Sequence, residues 1–143
     1  MSDGERVAWV TVASAGLGML AFAVVVLSRI LDGTLAGDQP YSFPMIGCMF
    51  LIVVPIWVTR AVLLKRNGGT NVGPDERDRD ILRRADQTKF GILLMACVVV
   101  LALAFNGSDH FWIASAVFAG LGLSFLGGAA VQINGYRRGI PAW

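Results

Sequence analysis

The sequence predicts an all-α membrane protein: four transmembrane helices in an up-down bundle, both termini cytoplasmic, with the third helix extended into the cytoplasm. Three observations predict it. The chain is 55% hydrophobic and only 15% charged, with a mean hydropathy of +0.63, where a typical soluble domain is about 25% charged. Four apolar runs approach the roughly 20 residues needed to cross a bilayer. Eleven of the twelve Lys and Arg fall in the head, the tail, and the central loop with its flanks. The positive-inside rule assigns that side to the cytoplasm. The 143 residues fit one membrane domain, and a net charge of +2 is too small to suggest nucleic acid as a partner.

The first span covers about residues 7–30. It reads as a retained helix rather than a signal peptide. "MSDGER" carries one basic residue, the apolar run exceeds the 7–15 residues of a signal core, and "LAGD" near Leu35 lacks a lipoprotein cysteine. The span ends near Asp32-Gly33, where Arg29 and Asp32 read as an interfacial pair. Pro44 suits the first turn of the second span, about 43–64. Pro55 inside that span removes one backbone donor and crowds the Leu51 carbonyl, which favours a kink. "NGGTNVGP" then reads as a flexible linker, with Gly68 able to end the helix.

The third span, about 88–106, needs Thr88 and Lys89 to reach full length, with Lys89 extending to the headgroups. "NGSD" at 106–109 is a tight turn in which Ser108 can cap the fourth span, about 109–135. Spans three and four should form an antiparallel hairpin. Trp9 and Tyr136 fall at inner ends, and Tyr41 and Trp112 at outer ends, as aromatic belts require.

The loop and helix extension, 65–89, contain the densest charge. Residues 71 to 91 hold five acids and five bases. Asp75 after Pro74 can cap a helix. Asp75–Arg79 and Asp80–Arg84 stand at i,i+4, and Glu76–Arg79, Asp80–Arg83 and Asp86–Lys89 at i,i+3. Each pair adds about 0.2–0.5 kcal/mol, and the like-charged pairs Glu76–Asp80 and Arg79–Arg83 offset part of the sum. Ile81, Leu82 and Ala85 form an apolar stripe expected to pack. The segment reads as a solvated helix start that fixes topology, as a surface for a cytoplasmic protein partner, or as an ion or substrate site. As a partner surface it would use Asp75, Glu76, Arg77, Asp78, Arg79, Asp80, Arg83 and Arg84.

The tail residues Tyr136, Arg137 and Arg138 read as positive-inside anchors, as partners for those acids, or as a site of anionic-lipid attraction. "DERD", Ile81, Ala85, two spans and "YRRG" together resemble a family of small bacterial and archaeal predicted membrane proteins of no established function. The resemblance covers roughly residues 74 to 139. It implies four helices in a bacterial or archaeal cytoplasmic membrane. Members of this kind often stand beside small helix-turn-helix regulators, which implies regulation rather than catalysis. It carries no catalytic residues.

In span four, Ala116, Gly120, Ser124 and Gly128 recur every four residues, and Ser14 and Gly18 do so in span one. Such stripes let helices approach closely. They serve packing within the bundle or a homodimer through span four. Val117 and Phe118, off the stripe, read as candidates for the lipid face. His110 beside Asp109 makes a poor metal site. Cys48 and Cys97 lie at different expected depths and read as unpaired. The spans contain no central ionisable residue, which argues against a proton-coupled transporter. No nucleophile–base spacing, phosphate loop or cofactor motif points to an enzyme. The expected function is therefore regulatory or accessory, with a small oligomeric channel or transporter as the alternative.

Overall fold

A computed structural model describes residues 3–31, 42–66 and 76–138. The expected cap at Asp75, the outer loop with Asp32, and the "NGGTNVGP" linker lie outside these residues. Four helices make up the described chain: α1 (Asp3–Leu31), α2 (Ser42–Arg66), α3 (Glu76–Phe105) and α4 (His110–Arg138). All four are long and apolar enough to cross a membrane. The protein is an all-α, multi-pass membrane protein.

Opposed residues fix the packing. Gly18 of α1 faces Cys48 and Ile52 of α2. Gly122 of α4 faces Met19 of α1. Gly120 and Gly127 of α4 face Ala96 and Ile92 of α3. Gly4 of α1 faces Tyr136 of α4, and Val7 and Thr11 of α1 share a cavity with Ile56 and Arg60 of α2, so in each pair the numbers rise on one helix as they fall on the other and neighbours are antiparallel. The start of α1, the end of α2, the start of α3 and the end of α4 therefore share one end of the bundle, which carries most of the charge. α1 and α4 form the centre, with α2 packed on α1 and α3 packed on α4.

The α3–α4 connection follows from one glycine. Gly107 adopts φ +66°, the left-handed region. Ser108 N–H donates to the Leu103 carbonyl and Gly107 N–H to the Ala104 carbonyl, both at 3.1 Å. These two bonds form a Schellman motif and satisfy carbonyls that the helix end leaves open. The start of α4 corrects the expected cap. Asp109, not Ser108, stands at the N-cap, its carbonyl accepting from Trp112 N–H at 2.9 Å. α2 runs through Pro55 without interruption.

The core is small. Ala15, Phe22, Cys48, Ile52, Ile56 and Phe118 bury one another across α1, α2 and α4. Phe22 and Phe118 stack with ring centroids 4.4 Å apart. This corrects the lipid-facing placement of Phe118, which is 4% exposed, whereas Val117 next to it is 44% exposed. A helix turns about 100° per residue, so adjacent positions face lipid and core. The most apolar stretch of α3 has no buried residue. Its outward side chains, among them Met95, Val98 and Phe105, are exposed on the surface of the bundle.

Candidate functional site

At the charged end, α1, α3 and α4 meet through named side chains. The first two turns of α3, from Glu76, precede its membrane span and extend the helix to 30 residues, about 45 Å at about 1.5 Å per residue. The hydrocarbon core is about 30 Å thick. Ile81 and Ala85, four residues apart, are 1% and 0% exposed. Ile81 sits on Gly135 of α4, where an added Cβ would lie 3.0 Å from Cγ1 and Cγ2 of Ile81. Leu82 departs from the expected stripe. It is only half-buried and points along another face, because it lies about 100° from Ile81.

The tail is not a segment after the fourth helix. Tyr136, Arg137 and Arg138 form the last turn of α4, where basic side chains complement the helix dipole. The Tyr136 hydroxyl donates a hydrogen bond to the Asp78 carboxylate. Its ring and hydroxyl occupy the space beside Gly4 of α1, where any Cβ would collide with them. Burial first, and then the Asp78 charge and hydrogen bond, push the Tyr136 phenol above its ordinary value. Asp78 thus accepts from a phenol that stays protonated.

The expected pairing of the tail arginines with acids of α3 is corrected for Arg137. Its Nε lies 3.7 Å from Glu5 Oε1 of α1. Its guanidinium lies 5.2 Å from the centroid of the Trp9 ring, also on α1. Trp9 offers an aromatic face, which favours a stacked guanidinium. Of the ion pairs expected within α3, Asp86–Lys89 closes at 2.8 Å.

This clamp divides the eight expected partner-binding residues. Asp78 faces inward to Tyr136, and Arg84 is half-buried. Glu76, Arg77, Arg79, Asp80 and Arg83 are exposed. Asp75 lies outside the described residues. Arg79, Leu82, Arg83, Asp86, Gln87 and Phe90 share one open outer face of α3. The result is a helix held at its inner face, with a mixed charged and apolar outer face.

The small-residue stripe packs within the chain. Gly120 meets Ala96, and Gly128 meets the aliphatic stem of Lys89. Ser124 is buried and donates to the Leu121 carbonyl at 2.8 Å. Ala116 is half-buried. α3 therefore covers Gly120 and Gly128, and a homodimer could use them only by displacing it.

Sequence reasoning missed one feature of this end. Val7, Thr11, Ile56, Arg60, Lys89, Phe125, Ala129 and Gln132 enclose a cavity of about 30 Å³. All four helices contribute to it. Gln132 is 7% exposed. Nothing in the sequence shows that the side chains of Lys89, Arg60 and Gln132 converge. In comparisons with known proteins, no family model, no curated protein and no solved structure matches the chain.

Proposed function

We propose that this protein is a regulatory or accessory subunit of a bacterial or archaeal cytoplasmic membrane, with both termini and the α3 extension in the cytoplasm. The extension presents its outer face to a cytoplasmic protein. The observation that carries this reading is the clamp: Asp78 bonded to Tyr136, and Ile81 seated on Gly135. A solvated topology signal requires only charge, whereas this helix start is held against the last turns of α4, which themselves pack on α1. Ordering a surface in advance lowers the entropic cost of binding. The exposed Arg79 and Arg83, spaced i,i+4 beside half-buried Leu82, supply charge and apolar area on one side. The basic asymmetry of the sequence supports the orientation.

The test is charge reversal on the outer face alone, Arg79→Glu with Arg83→Glu. Proteins cross-linked to the full-length chain in native membranes are compared between wild type and variant. The reading expects specific partners to be lost while thermal stability in detergent stays within error. Identical cross-linked partners from both would leave only the topology role.

A further inference from the structure

The cavity between the four helices has a composition that packing alone does not explain. Arg60 of α2 and Lys89 of α3 both line it, although the two helices otherwise scarcely touch. No carboxylate lines it. Asp86 pairs with the Lys89 ammonium at 2.8 Å, which uses one of its three donors. Arg60 makes no ion pair or hydrogen bond with the described residues. Two cations on one small cavity repel each other unless water or an anion lies between them.

Gln132 sharpens the point. More than nine-tenths buried, it lines the cavity and its carboxamide bonds no described residue. Its carboxamide is open to the cavity rather than enclosed by protein, Ser115 Oγ being the buried side-chain polar atom without a partner among the described residues, so whatever fills the cavity can bond to it. Thr11 is already committed, its hydroxyl donating to the Val7 carbonyl at 2.8 Å. Gly128 completes the arrangement. A Cβ there would overlap the Lys89 stem, so this glycine admits the lysine to the bundle.

We propose that this cavity binds a phosphate group, seating one of its oxygens among Gln132, Lys89 and Arg60. The volume decides how much enters. About 30 Å³ holds one or two water-sized groups, so one oxygen fits and an entire phosphate does not. Arg60 is exposed, and its guanidinium can hold the rest of the group outside with two parallel donors. Depth names the richest source. Arg60 lies six residues before the end of α2 at Arg66, about 9 Å along the helix, within reach of the headgroup layer. Phospholipid phosphates are concentrated there, and basic pockets between spans suit them. The proposal is independent of the cytoplasmic partner and of orientation, because both leaflets carry phosphates.

The experiment uses the full-length protein, delipidated in a neutral detergent. Thermal stability is followed against short-chain phosphatidylglycerol and, separately, inorganic phosphate. The variants are Arg60→Gln, Gln132→Met and the control Arg66→Gln, which removes the same charge from the same helix away from the cavity. Saturable stabilisation is expected for wild type and Arg66→Gln. Arg60→Gln and Gln132→Met should need about tenfold or more ligand, as loss of a charge-assisted hydrogen bond implies. Saturation by the lipid alone assigns the site to a membrane phospholipid, and the same variant pattern with inorganic phosphate assigns it to free phosphate. Should Gln132→Met fail to fold, the Arg60–Arg66 comparison still decides. Equal responses of those two variants, or no saturation by either probe, would overturn the proposal.

Discussion

The Tyr136 hydroxyl on the last turn of α4 donates to the Asp78 carboxylate on the first turns of α3. Fifty-eight positions separate the two residues in the sequence, and the contact ties the start of one helix to the end of the next. Tyr136→Phe should release the α3 extension without unfolding the spans. Hydrogen bonds to charged groups contribute about 1.5–3 kcal/mol, and the partial exposure of Asp78 reduces this to about 1 kcal/mol. Hydrogen exchange of the amides from Glu76 to Ala85 checks it: faster exchange there, unchanged in the spans.

The same contact sets an alkaline limit. The folded phenol titrates above its ordinary value of 10.0. An unfolded phenol therefore loses its proton first. The stabilisation is complete below pH about 10 and is lost as pH rises through the raised value. Tyrosinate absorbance reports this directly once Tyr41→Phe removes the only other tyrosine. Asp78→Asn should bring the midpoint down toward the ordinary value. A midpoint unmoved by Asp78→Asn would show that burial alone holds it.

Gly120→Leu and Gly128→Leu should lower thermal stability in detergent by at least the cost of overpacking, about 1–3 kcal/mol. Ala96 and the Lys89 stem already occupy the space the new side chains would need. Gly16→Leu is the contrast, since nothing lies within 4 Å of a Cβ there. Equal stability for all three variants would mean that α4 does not pack on α3 through this face.

Phe118→Ala should cost about 3–5 kcal/mol, the range for truncating a buried aromatic, because it leaves a cavity against Phe22. Val117→Ala should cost far less, since Val117 is 44% exposed. Reversal of this order in detergent melting would contradict the packing of α1 on α4.

Orientation is tested by cysteine labelling in a background lacking Cys48 and Cys97. Gly37→Cys and Ser108→Cys should react with an impermeant thiol reagent in intact cells, and Asn71→Cys should not. Labelling of Asn71→Cys would place the charged end outside.

The sequence by itself determined the four helices, their approximate lengths and their alternation. Those features depend on local quantities: runs of apolar residues matched to bilayer thickness, Gly107 at a helix end, and the grouping of basic residues. It also singled out Gly120, Ser124 and Gly128 as a packing stripe, since small residues every four positions share one helix face. Only the tertiary structure decided which helix covers that stripe, that Phe118 points inward while Val117 does not, and that Arg137 turns to Glu5 and Trp9 of α1. It alone gathered Arg60, Lys89 and Gln132 around one cavity. The physical reason is the near-uniform apolarity of the spans. A helix in lipid has little contrast between its lipid-facing and protein-facing sides, so periodicity gives weak guidance to its rotation. Shape then decides, through the gap a glycine leaves and the side chain on a neighbouring helix that fills it.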